Sequence, residues 1–318
     1  MRSTLKKHPA VSAALALVLT AFCASAEAEN VRTSYLYSLS NFSGVVPYGW
    51  VNVFTDNKMG EIYVTDVADN SVRIFNQEGM EVYTFGDDNS LGIIYDVTLD
   101  DKGNILVLSY DYHSKYSVLL ANFRGELVSR INIRNLPAGL EKEFRPTEIL
   151  YRGGHIYLVD KGSMRVVLAD SKGLFEKSYD LFSVLNLEGK KRYDIEISGF
   201  SLDKDGNMLF TVPVVFKAFK YSPDGKLAAF GQKGGAPGKF NVISGITEDD
   251  KGNLYVADVL KSAVLVFDKD YRFITQFSQR GLGPGELIAP KEIAYQDGKL
   301  YVTQSMNRGV SVFGINYE

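Results

Sequence analysis

The sequence predicts an all-β fold, a six-bladed β-propeller, on three observations. A glycine, a polar residue, two or three apolar residues and a small or polar ending recur six times, beginning at Gly60, Gly103, Gly154, Gly206, Gly252 and Gly298. The intervals of 43, 51, 52, 46 and 46 residues suit four-stranded propeller blades. Nine residues beyond the end of that segment a second β-rich run closes on an apolar residue, as from Asp66 to Phe75, Asp160 to Ala169 and Asp258 to Phe267. Third, the sixth copy stops at Glu318 without a fourth strand, while Ser34–Ser40 (SYLYSLS) stands spare before the first copy. That segment, 34–40, is expected to complete the last blade, because closing the ring removes exposed sheet edges.

From the N-terminus, Met1–Lys7 carries three basic residues and no acid, and Val11–Phe22 is an apolar run of twelve. Ala24-Ser25-Ala26 and Ala26-Glu27-Ala28 then offer small residues for cleavage. Residues 1–28 therefore read as a cleavable secretory signal, too short to span a bilayer comfortably. The expected address is periplasmic or extracellular. Cleavage discards Cys23 and leaves 32 basic against 37 acidic residues, with His113 and His155 the only histidines. Such a chain must stand on its core without disulfides. It lacks the thiols for nucleophilic catalysis and any CxxCH haem site. Its acidic balance argues against nucleic acid, and no later apolar run approaches the length of a membrane span.

The mature chain, 29–318, reads as one domain. Its repeats fall at about 45–90, 91–135, 144–185, 195–234, 240–281 and 287–318. Each begins with an Ile/Val-centred strand and an Asp-rich turn such as VTLDDKG, FSLDKDG or ITEDDKG. A second strand, a third strand, a turn such as NQEG, NFRG, DSKG or SPDG, and a fourth strand follow. The second repeat needs twelve residues rather than nine, from Ser109 to Ala121, which places an insertion around Asp111–Lys115. Nothing sustains a helical period.

These repeats resemble the NHL-repeat family of six-bladed β-propellers. The fifth copy carries the resemblance best, with GQKGGAPGKF (Gly231–Phe240), ISGITEDDKGNLYVAD (Ile243–Asp258) and AVLVFD (Ala263–Asp268). The sixth follows with GLGPGEL (Gly281–Leu287) and PKEIAYQDGKLYVTQ (Pro290–Gln304). The second to fourth copies are degenerate, and longer polar stretches replace the glycine-rich linker in the third and fourth. The resemblance implies a rigid ring of NHL-type repeats; since the family includes binding scaffolds and some enzymes, it leaves function open.

The glycine-rich linkers are not phosphate loops, for no helix and no GK[ST] follows them. The DDKGN and DKDGN turns lack the twelve-residue spacing and closing glutamate of a calcium loop. Residues preceding the central Ile/Val of each first strand form a column, Gly49, Asp96, Glu148, Gly199, Gly245 and Glu292, expected to ring the channel mouth. Asp96, Glu148 and Glu292 are the candidate channel-mouth residues. They make a polar, water-filled rim, a hard-cation site with calcium the fitting ion, or a group that shares a proton at raised pKa values. A second column, Asp66, Ser109, Asp160, Val212, Asp258 and Gln304, is expected to cap the following loops. Tyr48, Trp50, Tyr95, Tyr112 and His113 concentrate at blade ends and are the candidate binding-face residues. No G-x-S-x-G elbow or three-ligand zinc set occurs. The resulting expectation is a monomeric, exported, cofactor-free platform that binds a protein partner in the cell envelope. The alternative is a metal-dependent hydrolase or lyase working at the channel mouth.

Overall fold

The computed structural model describes residues 31–45, 51–86, 90–111, 115–187 and 189–317. The leader and the candidates Tyr48, Trp50, Tyr112 and His113 lie outside the described residues. Six four-stranded antiparallel sheets follow one another as blades. Blade 1 comprises Val51–Asp56, Glu61–Asp66, Ser71–Phe75 and Glu81–Phe85, and blade 2 Ile93–Leu99, Ile105–Tyr110, Tyr116–Ala121 and Leu127–Ile131. Blade 3 comprises Glu148–Arg152, His155–Asp160, Arg165–Asp170 and Phe175–Asp180. Blade 4 is Phe200–Leu202, Met208–Val212, Lys217–Tyr221 and Leu227–Phe230. Blade 5 is Ile243–Glu248, Leu254–Asp258, Ala263–Phe267 and Phe273–Phe277. Blade 6 has Pro290–Gln296, Lys299–Gln304 and Val310–Tyr317, and its fourth strand is Val31–Ser38.

The N-terminal strand thus completes the last blade, as the spare segment predicts, beginning three residues earlier than expected. It runs antiparallel to Val310–Tyr317, with Val31 opposite Tyr317 and Ser38 opposite Ser311. The inner strand of blade 6 packs on that of blade 1, so the ring is shut. Leu39, fully buried, sits in this seam among Ile62, Val64 and Phe75 of blade 1 and Tyr301, Val310 and Val312 of blade 6. The other seams are similarly apolar. Between blades 4 and 5, Phe230, Phe240 and Phe267 meet with ring centroids 5.0–6.2 Å apart, which is what the aromatic end of the glycine-rich linker contributes.

Inner strands begin at one face of the ring, where the second-to-third strand loops and inter-blade linkers lie. We term this the loop face and the opposite one the turn face. The capping column works at the loop face. Asp160 accepts Ser163 N at 2.9 Å from its own loop and Arg145 N at 2.8 Å from the incoming linker. Asp258 does the same with Lys261 N and Asn241 N, Asp66 accepts Ala68 N, and Gln304 Oε1 accepts Ile288 N. At the turn face the D-x-x-G-N motif is a self-contained turn. Asp100, Asp203 and Asp249 each accept the backbone amides two and four residues on and the side-chain amide of the closing asparagine, at 2.6–3.0 Å.

Two short helices depart from the all-strand reading. Helix α1 (Ala138–Glu143) and helix α2 (Leu181–Leu185) occupy the longer linkers into blades 3 and 4. Each is under two turns, too short to impose a hydrophobic period on the sequence. The Asp180 carboxylate caps α2 by accepting Ser183 N at 3.1 Å.

Candidate functional site

The inner strands of all six blades line a cavity of about 620 Å³ on the ring axis. It runs from the turn face, where Lys58, Lys102, Gly153 and Asp250 border it, down to Asp96, Glu148 and Glu292. Sequence reasoning places these three carboxyls at one mouth, and the structure brings them there with different partners. Asp96 of blade 2 is buried and its Oδ2 accepts Ile149 N of blade 3 at 2.9 Å, clasping two inner strands together. Glu148 and Glu292 belong to blades 3 and 6, three steps apart around the ring.

Between them lies Lys161, from the loop after the second strand of blade 3. Its Nζ stands 2.8 Å from Glu148 Oε2 and 2.8 Å from Glu292 Oε1. One ammonium therefore bridges opposite sides of the channel. Its backbone is fixed from both sides, by the Asp160 cap and by Ile197 N donating to Lys161 O at 3.0 Å. Sequence reasoning missed this residue. A signal was present: the positions following the capping column are Val67, Tyr110, Lys161, Pro213, Val259 and Ser305, and only Lys161 is charged.

The electrostatics follow from three carboxyls and one ammonium in a poorly solvated mouth. Burial pushes the Glu148 carboxyl up to about 7, with Glu292 adding to the rise and Lys161 opposing it. Burial likewise holds Asp96 well above the usual carboxylate range, and the neighbouring Glu148 reinforces it. Burial alone would favour a neutral Lys161, but Glu148 and Glu292 together outweigh it and hold the ammonium above its ordinary range. The lysine stays charged, and Asp96 and Glu148 share the proton that burial and their mutual repulsion favour.

Glycine fills the same column in blades 4 and 5 for a steric reason. A Cβ on Gly199 would lie 2.3 Å from Ser244 O, and one on Gly245 would lie 2.5 Å from Lys291 O. Blades 4, 5 and 6 approach backbone to backbone at the mouth, whereas blades 2 and 3 leave room for acids. Thr211 and Ser244 stitch this close side, donating to Ser244 O at 2.6 Å and to Pro290 O at 2.9 Å.

Tyr95, the candidate binding-face residue within the described chain, packs in a trio. Its ring lies 6.4 Å from Tyr110 and 5.6 Å from Tyr116, and those two are 4.9 Å apart. Tyr110 and Tyr116 flank the second-blade insertion, whose base is closed by Asp111 N donating to Lys115 O at 2.9 Å. The insertion springs from the loop face, the face that carries the acidic mouth.

A second polar cluster, near the turn-face end of the cavity, has no counterpart in the sequence reading. Lys220 bridges Asp203 at 2.7 Å and Glu248 at 2.6 Å across blades 4 and 5. Burial lifts Glu248 above its ordinary range against the pull of Lys220. At Asp203 the hydrogen bonds from Lys220 and Asn207 outweigh burial and hold the carboxyl below its ordinary range. Asp249 beside them accepts Tyr255 OH at 3.0 Å and Tyr317 OH at 2.5 Å, tying the last strand to blade 5. Among the described residues no three His, Cys, Asp or Glu side chains converge in a way that could hold a metal ion, and no helix is long and apolar enough to cross a membrane.

Comparison with known proteins agrees with this architecture. A family model, DUF5128, described as a 6-bladed beta-propeller, matches residues 239–318. No curated protein matches the chain in sequence. Among solved structures, a protein of unknown function from Bacteroides thetaiotaomicron VPI-5482 superposes with TM-score 0.63 at 15% identity, covering 91% of this chain and 77% of its own. Virginiamycin B lyase from Staphylococcus aureus gives 0.56 at 11%, covering 90% and 99%. A gluconolactonase from Xanthomonas campestris gives 0.58 at 12%, covering 90% of each. At such identities these similarities are similarities of fold, and the fold they share with this chain is the six-bladed β-propeller.

Proposed function

We propose that this chain is an exported, non-catalytic binding platform of NHL-type repeats that holds a protein partner of the cell envelope through its loop face. The observation that carries this reading is the Glu148–Lys161–Glu292 bridge. An ammonium built into the protein already neutralises the pair that a calcium ion would need, so the donor set does not fit a resident metal. The mouth is a brace, and recognition falls to loops mounted on a rigid ring. The aromatic residues Tyr48, Trp50, Tyr95 and Tyr112, together with His113, supply the anchors such a surface uses. The leader supports a periplasmic or extracellular site, and one closed ring suits a monomer. Neighbours named as a lyase and a gluconolactonase support the scaffold and carry no activity over at this distance.

The test uses the purified mature chain. Elemental analysis should find no stoichiometric metal, and neither calcium nor EDTA should move the melting transition. Immobilised protein should retain one envelope protein in stoichiometric amount, and Tyr112→Ala with His113→Ala should abolish retention. A bound cation that is lost on Asp96→Asn or Glu148→Gln would overturn the reading in favour of a metal-dependent hydrolase or lyase.

A further inference from the structure

We propose that the loop face of blades 4 to 6 is a docking surface for an anionic phospholipid bilayer. Six large apolar side chains are exposed there: Tyr193, Val214, Val242, Leu260, Leu282 and Met306. Val214, Leu260 and Met306 occupy the second-to-third strand loops of three successive blades, and Tyr193, Val242 and Leu282 the linkers beside them. Leu260, Leu282 and Met306 are 67%, 68% and 75% exposed, values that mark loop tips free of the core. The tips are held in place. Arg308 donates to Leu282 O at 2.9 Å, and Val259 N donates to Val242 O at 2.8 Å. Lys261 Nζ reaches Ala236 O at 2.8 Å.

Charge selects the occupant. The three linkers, 181–199, 231–242 and 278–289, and the three loops, 213–216, 259–262 and 305–309, hold eight basic and four acidic residues. The turns at the opposite ends of the same blades, 203–207, 222–226, 249–253, 268–272 and 297–298, hold eight acidic and five basic ones. None of the residues in those turns is an exposed large apolar side chain. This half of the ring is thus polarised, apolar and basic on its loop face and acidic on its turn face. Exposed apolar tips flanked by lysine and arginine on one face match the interfacial layer of an anionic membrane. A bilayer also leaves the turn-face opening of the axial cavity in water. This surface is separate from the aromatic sector of blades 1 and 2, and the inference stands independently of the protein partner.

The experiment is flotation of the mature chain with vesicles of phosphatidylethanolamine and phosphatidylglycerol, against phosphatidylcholine vesicles. The chain should float with the anionic vesicles alone, and added salt should release it. The double variant Leu260→Glu, Met306→Glu should stay in the aqueous fraction. Removing the exposed Lys190, Lys191 and Lys233 as alanines should weaken partitioning by about fivefold per residue. Met59→Glu, on the turn face, should float like the parent. The altered side chains are exposed, so each variant should melt with the parent. Failure to float, equal flotation of the Leu260→Glu, Met306→Glu variant, or retention on polyglutamate with no flotation would each overturn the inference.

Discussion

Replacing Glu148 with glutamine isolates the electrostatics of the channel mouth. Glutamine keeps the shape, and its carbonyl oxygen still accepts from the Lys161 ammonium, but it cannot titrate. In the parent, burial raises the Glu148 carboxyl from its usual 4.5 to about 7. The folded chain therefore holds a proton that the unfolded chain has released. The associated stability is full below pH 4.5 and is lost as the pH rises to about 7. At about 1.4 kcal/mol for each tenfold change in proton activity, that interval amounts to about 3 kcal/mol. Asp96 is raised as well, chiefly by its own burial, and is present in both proteins. The part due to burial cancels when the two are compared, and the part that the Glu148 charge adds is relieved in the variant, in the same direction. Urea denaturation of parent and Glu148→Gln at a series of pH values measures the difference directly. The variant should gain about 3 kcal/mol on the parent between pH 4.5 and 7.5. Parallel stability curves across that range would refute the assignment, because they would mean that Glu148 titrates alike in the folded and unfolded chains.

Three further outcomes follow from the packing. Leu39→Ala, in the seam that closes the ring, should cost about 2–5 kcal/mol by thermal or chemical denaturation. Leu36→Ala, on the strand that leads into Leu39 and 43% exposed, should cost under about 1 kcal/mol; equal losses would contradict the seam. Gly245→Ala should destabilise strongly, since the new methyl would overlap backbone of blade 6, whereas Gly235→Ala, with open space around it, should be near neutral in the same melts. Phe240→Ala should cost about 3–5 kcal/mol, because its ring is fully buried between blades 4 and 5.

Fold was legible in the sequence because each blade advertises itself locally. The D-x-x-G-N turn hydrogen-bonds within five residues, so Asp100, Asp203 and Asp249 carry their structural reason beside them. Ring closure was legible from an imbalance, one strand short at the end and one spare at the beginning. The helices α1 and α2 were not legible, for they are shorter than the period that would reveal them. The three mouth carboxyls could be found by aligning copies. Their partner could not be found that way, because Lys161 comes from a different column and reaches Glu292 across 131 residues of sequence. The Lys220 bridge to Asp203 and Glu248 escaped for the same reason. Repeat alignment compares equivalent positions and is blind to pairs formed between unlike ones.

The pairing of Val31 with Tyr317 has a topological consequence. The two ends of the described chain meet as neighbours on adjacent strands, so the covalent break in the ring sits where it is almost spanned. Nothing in the packing of blades 1 to 5 depends on the gap being there. A chain whose ends are joined by a short linker, and which is reopened at the exposed Gly235 between blades 4 and 5, should wind into the same circle with a different blade sewn last. In that rearranged protein the seam at Leu39 would become an ordinary internal junction, and the strand now acting as a clasp would be one fold line among six.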